Sequence, residues 1–265
     1  MTTPSQNRRD SAPVLQTVDD YDGEPAVLVA ATQSDLPRRQ AASVVDAWCT
    51  FFSASPSPIE HLRFISRTPA RLFASLAGQT QLKSLELKWG DYADLSALNE
   101  MSKLESLTLG GAASVTTIEP LAQLVGLREL ELEGTRRVRD YSPIGRLRAL
   151  RSLTVIDGIN GPRVHADSIA FLRDLTSLEY LCWMPIVDDG DYSPALALTH
   201  VPMVYIASAR NMVPSHADLE WALPGMQAWA RDRAFAVVPV TIDGESAGTY
   251  ETDVDGKMRF HPKAD

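Results

Sequence analysis

Three glutamates on alternate positions, Glu129, Glu131 and Glu133, would stand on one face of any extended segment that contains them. Same-face residues lie about 7 Å apart along a strand, so neighbouring carboxylates there repel by roughly 0.6 kcal/mol in water. Such a row suits two chemistries. A pair of carboxylates near that separation is what an inverting glycosidase uses, and a row of three is what a Lys- or Arg-bearing segment would dock on. Catalysis needs a closed pocket and a reason for two pKa values to diverge, and an open strand face offers neither. The remaining titratable groups are no closer to an enzyme. His61, His165, His200, His216 and His261 are scattered, without metal-ligand spacing. Cys49 and Cys182 lie far apart, with no C-x-x-C. Nucleophile elbow, P-loop and dinucleotide glycine motifs are all missing. The acid groups Asp188, Asp189, Asp191 and Asp253, Asp255 lack the closing glutamate of an EF-hand and read as turn chemistry. No catalytic residue, metal or cofactor is expected.

The elements that would carry the glutamates emerge from an internal repeat, the feature to seek first. Leu82, Leu85 and Leu87 follow the spacing L-x-x-L-x-L, and the same spacing returns at Leu104, Leu107, Leu109 and at Leu127, Leu130, Leu132. It continues at Leu150, Leu153, Val155, at Leu178, Leu181, Trp183 and at Val201, Val204, Ile206, and one period earlier at Ile59, Leu62, Phe64. The first positions differ by 23, 22, 23, 23, 28 and 23 residues. A second block keeps step: ADLSAL (93–98), TIEPLA (117–122), DYSPIG (140–145) and DYSPAL (191–196). The last two are offset by 51, the sum of one 23-residue and one 28-residue repeat, so the long repeat holds an insertion that preserves the phase. Each unit is predicted to be a short strand followed by a return segment with a tight helical or 3₁₀ turn, started by its proline. No unit can bury its apolar side alone, so the units stack.

This pattern resembles the leucine-rich-repeat family, over about residues 59–210, and most resembles the internalin-like subclass with its 22–23-residue repeats. The resemblance implies an α/β solenoid with a parallel sheet on its concave face, and ligands met on that face. It also implies an asparagine at the third residue after each strand, bonding the neighbouring turn. Here Gly90, Ala112, Thr135, Gly158, Ile186 and Ala209 hold those positions, which predicts a looser turn edge.

The concave face is expected to show two patches. One is acidic, Glu129, Glu131 and Glu133 with Glu86 two strands away, flanked by the small Ser106, Thr108, Gly110, Ser152 and Thr154. The other is apolar, Tyr180, Cys182, Met184, Met203 and Tyr205, and is either an interface or the seat of the C-terminal cap. The insertion after Ile156 is expected to be a solvated loop exposing Arg163 and His165. Residues 1–22 are expected to be a disordered tail and 23–58 an N-terminal cap. The cap would contain a strand near Ala26–Ala30 and an amphipathic helix over 35–53, capped by Ser34 or Asp35 and buried through Val44, Val45, Trp48, Phe51 and Phe52. Residues 211–265 are expected to be a β-rich C-terminal cap, with helical residues 219–230 split at Pro224-Gly225 and strands after them turning at Asp243-Gly244 and Asp255-Gly256.

The net charge of −9 argues against a nucleic-acid partner. No run of about 18 apolar residues exists to cross a membrane, and the first 20 residues do not read as a leader peptide. With two unpaired cysteines, the expected compartment is the cytoplasm. The reading is a binding scaffold for a protein or peptide, favouring a basic segment. The alternative is a structural or regulatory subunit docking through its apolar C-terminal end.

Overall fold

A computed structural model describes residues 12–32, 36–158, 162–233, 238–242, 245–252 and 258–262. The strands in chain order are β1 (Val14–Leu15), β2 (Ala26–Val29), β3 (His61–Phe64), β4 (Ser84–Leu87), β5 (Ser106–Leu109), β6 (Glu129–Glu133) and β7 (Ser152–Ile156). There follow β8 (His165–Ala166), β9 (Tyr180–Trp183), β10 (Ile186–Val187), β11 (Met203–Ile206), β12 (Val238–Ile242), β13 (Glu245–Thr252) and β14 (Met258–Pro262). The α-helices are α1 (Arg38–Ala54), α2 (Ala70–Ala74), α3 (His216–Ala222) and α4 (Pro224–Arg233). Nine strands form one parallel sheet in the order β1-β2-β3-β4-β5-β6-β7-β9-β11. Its seven central and C-terminal strands, from β3 on, are the seven registers of the repeat. The register agrees residue for residue: Leu85 faces Leu107, which faces Leu130, which faces Leu153 and then Leu181. Every L-x-x-L-x-L residue is buried, so one continuous apolar core runs the length of the stack.

The return segments are 3₁₀ turns at Ser96–Leu98, Glu119–Gln123, Ser142–Arg146, Ala170–Asp174 and Ser193–His200. The same local device starts each one. A side-chain oxygen accepts a backbone N–H two residues on, from Asp94 to Ser96 (2.9 Å), Thr117 to Glu119 (3.2 Å), Asp140 to Ser142 (2.8 Å), Ser168 to Ala170 (3.1 Å) and Asp191 to Ser193 (2.9 Å). Asx and Ser/Thr turns of this kind fix the chain direction just where the strand must turn back.

The missing asparagines do not leave the turn edge unbonded, because tyrosine hydroxyls do the bonding there. The Tyr92 hydroxyl donates to the Gly110 carbonyl, and the Tyr192 hydroxyl accepts the Val187 N–H at 3.1 Å. The Tyr141 hydroxyl meets Thr135 Oγ1 at 2.7 Å, with both side chains buried. Burial keeps these phenols neutral and pushes Tyr141 up to about 12. Tyr141→Phe should therefore lower stability by about 1–2 kcal/mol, since it orphans the Thr135 hydroxyl in the core. Urea unfolding of the variant measures this.

The structure differs from expectation at three places. Residues 12–22, assigned to a disordered tail, are ordered. β1 pairs with β2 as an extra edge strand, and Gln16 offers its carbonyl to Trp48 Nε1 at 3.0 Å. Leu15 is the apolar anchor of this polar stretch, buried in the core. Helix α1 begins at Arg38 after Pro37, and Ser34 and Asp35 lie outside the described residues. It buries Val45, Trp48 and Phe52, with the Trp48 and Phe52 rings stacked at 5.4 Å. Buried Gln79 then ties this cap to the first repeats. Its amide donates to the carbonyls of Phe52 (2.7 Å) and Ser55 (2.8 Å), and its oxygen accepts the Ser57 hydroxyl (2.7 Å).

Second, the insertion exposes Arg163 as expected, but its return is also fastened. The Arg163 guanidinium donates to the carbonyls of Met184 (2.6 Å) and Ser208 (3.2 Å), two repeats on. His165 lies 2.6 Å from Asp188, which also pairs with Arg139 at 2.9 Å, while β8 and β10 form a small parallel sheet at the turn edge.

Third, helices take the seat against the last strand. α3 opens with a Ser215/Asp218 capping box and α4 starts at Pro224, so the chain splits there as expected. α4 packs on β11, and a Cβ on Gly225 would sit 2.3 Å from the Val201 carbonyl, so only glycine permits the approach. β12, β13 and β14 form a separate three-stranded antiparallel sheet. Its expected turns at 243–244 and 255–256 lie outside the described residues.

Candidate functional site

The concave face is read from the register as three rows across the sheet. The first holds His61, Ser84, Ser106, Glu129, Ser152, Tyr180 and Met203. The second holds Arg63, Glu86, Thr108, Glu131, Thr154, Cys182 and Tyr205. The third, just past most strand ends, includes Ile65, Lys88, Gly110, Glu133 and Ile156.

The acidic row is where the repeat placed it. Glu129, Glu131 and Glu133 share one face of β6, between the small side chains of β5 and β7. Their environments differ. Glu129 is exposed and accepts the Ser106 hydroxyl at 2.9 Å. Glu131 is half-buried at the centre of the sheet. Burial pushes its carboxyl above the ordinary glutamate value, and the charges of Glu86 and Glu133 push it further. No ion pair to Glu129, Glu131 or Glu133 forms among the described residues.

Glu86 behaves differently. It faces Arg63 on the neighbouring strand and pairs with it at 2.8 Å, so its charge is already balanced. Arg63 stands at the matching position of the preceding repeat, and aligning the two repeats would have revealed the pair. The carboxylate with an unmet demand for a cation is Glu131. Its ionised form is the strained one, so its folded-state proton affinity is raised, and stability rises as the pH falls through that titration. Glu131→Gln should then be more stable than the native chain at pH 7 by up to about 0.6 kcal/mol, the scale of one carboxylate pair. The difference should close below the ordinary value of 4.5. Urea titrations at several pH values check both.

The apolar patch is brought together, but it is not open. Tyr180 faces Met203 and Cys182 faces Tyr205 across β9 and β11. Trp229 of α4 then lies over them, its ring 6.0 Å from Tyr180 and 5.3 Å from Tyr205. Cys182 is buried, and burial pushes the Tyr180 hydroxyl up to about 12. Much of this patch is the seat of the cap, with Met184 at its margin. Where Trp229 points depends on the break at Pro224, which spacing alone did not show.

One surface went unremarked in the sequence. Trp89, two residues past the end of β4, is 48% exposed. It forms the wall between two grooves, one of about 540 Å³ bordered by Lys88, Glu133, Gly134 and Arg136, the other of about 390 Å³ bordered by Ile65, Ser66 and Arg67. Among the described residues, no three His, Cys, Asp or Glu side chains converge as metal ligands. Among the same residues, no helix is long and apolar enough to cross a membrane.

A parallel sheet of L-x-x-L-x-L strands, each returned through a short 3₁₀ turn, decides the class of fold. The chain folds as a leucine-rich-repeat solenoid. Similar solved structures include an internalin (inlF) from Listeria monocytogenes, 23% identical with a TM-score of 0.45, over 57% of this chain and 48% of that one. Internalin C2 (inlC2) from the same species is 20% identical with a TM-score of 0.39, over 54% of this chain and 70% of that one. The solenoid chain thus spans about half the length of the first. No family model matches the sequence, and no curated protein matches it.

Proposed function

We propose that the solenoid is a binding scaffold for a protein or peptide, which it holds on its concave face, and that the glutamates of β6 select a basic segment. The observation that carries this reading is Glu131, a half-buried carboxylate beside two others and, among the described residues, with no cation paired to it, on a face whose neighbours are small. A guanidinium or ammonium group brought there would relieve the repulsion among three carboxylates and gain charge-assisted hydrogen bonds. Ser106, Thr108, Ser152 and Thr154 leave room for the long side chain that carries it. Glu86 contributes less than its neighbours because Arg63 already answers it. A reducing compartment suits the chain, since Cys49 and Cys182 are not joined in a disulfide.

The test is fluorescence anisotropy with a labelled Arg-containing peptide, acetylated and amidated. Binding should weaken steadily with salt, and Glu131→Lys together with Glu133→Lys should lower affinity at least thirtyfold, the scale of reversing charges at an interface. Unchanged affinity in that variant would remove the basic-partner reading.

A second reading places an interface at the C-terminal end. Its support is not the Tyr180–Tyr205 patch but Trp221 on α3, 85% exposed, with Val213 and Leu196 also exposed in the last repeats and the segment after them. Light scattering of the pure chain and of Trp221→Asp separates a self-associating subunit from a monomer.

A further inference from the structure

Lys88 and Glu133, which border the groove beside Trp89, stand at the ends of the two strands that flank β5, so the groove lies at the end of a trough along β5. The floor of the trough is Ser106, Thr108 and Gly110, and the adjacent strands β4 and β6 supply its walls. Two strand spacings separate those walls by about 9–10 Å, the width of one extended chain. Gly110 has no side chain because a Cβ there would lie 2.3 Å from the Lys88 carbonyl. Beyond it, Gly111 (φ +56) and Gly134 (φ +69) hold left-handed conformations at the position Trp89 occupies one and two repeats earlier. One large aromatic wall therefore rises beside a floor of bare backbone.

The charge along this trough changes sign. Its start and middle carry Glu129 and Glu131. Its exit, the groove of about 540 Å³, is bordered by two cations, Lys88 and Arg136, and one anion, Glu133, so it is net positive. Neither cation is in an ion pair among the described residues, whereas Arg63 and Arg67, one repeat back, are both paired. A partner bearing only basic groups would meet this net positive exit, and a purely acidic one would meet Glu129 and Glu131.

We infer that the trough takes an extended segment of mixed charge, with a basic residue over Glu131, an apolar residue against Trp89, and an acidic residue between Lys88 and Arg136. Lys88 stands one row past Glu131, about 7 Å along the strand direction, and Arg136 lies beyond the end of β6, so an acidic residue three or four positions after the basic one would reach the space they border. The inference rests on the proposed concave-face function and adds the acidic half and the spacing.

Two labelled peptides test it on the full chain. One carries Arg, a central Leu and Glu four positions after the Arg, and the other is identical with Gln in place of Glu. The Glu peptide should bind about tenfold more tightly, and Lys88→Gln with Arg136→Gln should erase that advantage while leaving the Gln peptide within twofold. Trp89→Ala should weaken both peptides, with circular dichroism confirming the fold. Equal affinities for the two peptides, lost together in Glu131→Lys, would leave the basic-partner reading standing and overturn the mixed-charge segment. An advantage that survives in the Lys88, Arg136 variant would also overturn it. Binding of neither peptide overturns both.

Discussion

Trp183→Ala will lower the stability of the solenoid by about 3–5 kcal/mol, the range for emptying a large aromatic site in a core. Trp183 stands in the buried ladder of Phe64, Leu87, Leu109, Leu132, Val155 and Ile206, and it is the largest side chain on that line. It is fully buried, with its ring 5.3 Å from Tyr141 and 5.7 Å from Phe171. One effect works the other way. Among the described residues the indole N–H has no acceptor, and a buried donor left unpaired costs about 1–3 kcal/mol. The alanine variant sheds that penalty with the ring, which puts the loss toward the lower end of the range. Trp183→Phe keeps most of the apolar volume and also sheds the orphan donor, so its loss should stay below about 1.5 kcal/mol. Because neighbours in a solenoid couple only to neighbours, the alanine variant should lose β9 and β11 first in urea, with a shallower transition than the native chain. A loss below 1 kcal/mol would mean that the core closes over the gap.

Gly110→Ala will also destabilise the fold, by about 3 kcal/mol, although it adds a single methyl group. The added Cβ meets two backbone carbonyls, Lys88 O at 2.3 Å and Leu87 O at 2.7 Å. Neither can rotate away as a side chain would, so the strand must shift, and overpacking strain of this kind is typically 1–3 kcal/mol and occasionally more. The shift would also disturb the Gly110 carbonyl that accepts the Tyr92 hydroxyl, and it would raise the floor of the β5 trough. Denaturant midpoints should thus fall together with peptide affinity. Gly126→Ala is the control, since its nearest contact there would be an ordinary 3.6 Å, and it should leave the affinity unchanged.

The strand positions were legible because burial writes itself into a period: Leu130 and Leu153 lie 23 residues apart and pair in the sheet. The glutamate row was legible for the same reason, since period-2 alternation forces Glu129, Glu131 and Glu133 outward from buried Leu130 and Leu132. What escaped depends on contacts that no period encodes. Leu15 is a lone apolar residue in a polar stretch, and its strand is held in place by α1 and β2. Tyr141 reaches a turn through the length of its ring, replacing a short amide that would have sat at the turn itself. Trp229 arrives over Tyr180 and Tyr205 by the angle at which the chain leaves Leu223. Lys88 and Arg136 belong to different repeats and become neighbours of one groove only because the intervening positions are glycines.

The 28-residue repeat has a practical meaning for anyone who wishes to build on this scaffold. Its five extra residues emerge after β7 on the turn edge, and β9 still joins β7 in unbroken register, Leu153 against Leu181. The extra length is anchored at its return by Arg163 and β8, so the stack tolerates surplus chain there without losing alignment. A foreign loop, such as an epitope or a reporter peptide, grafted there would leave the strand register alone, and it would stand beside the Trp89 groove, which Gly158 and Pro162 also border.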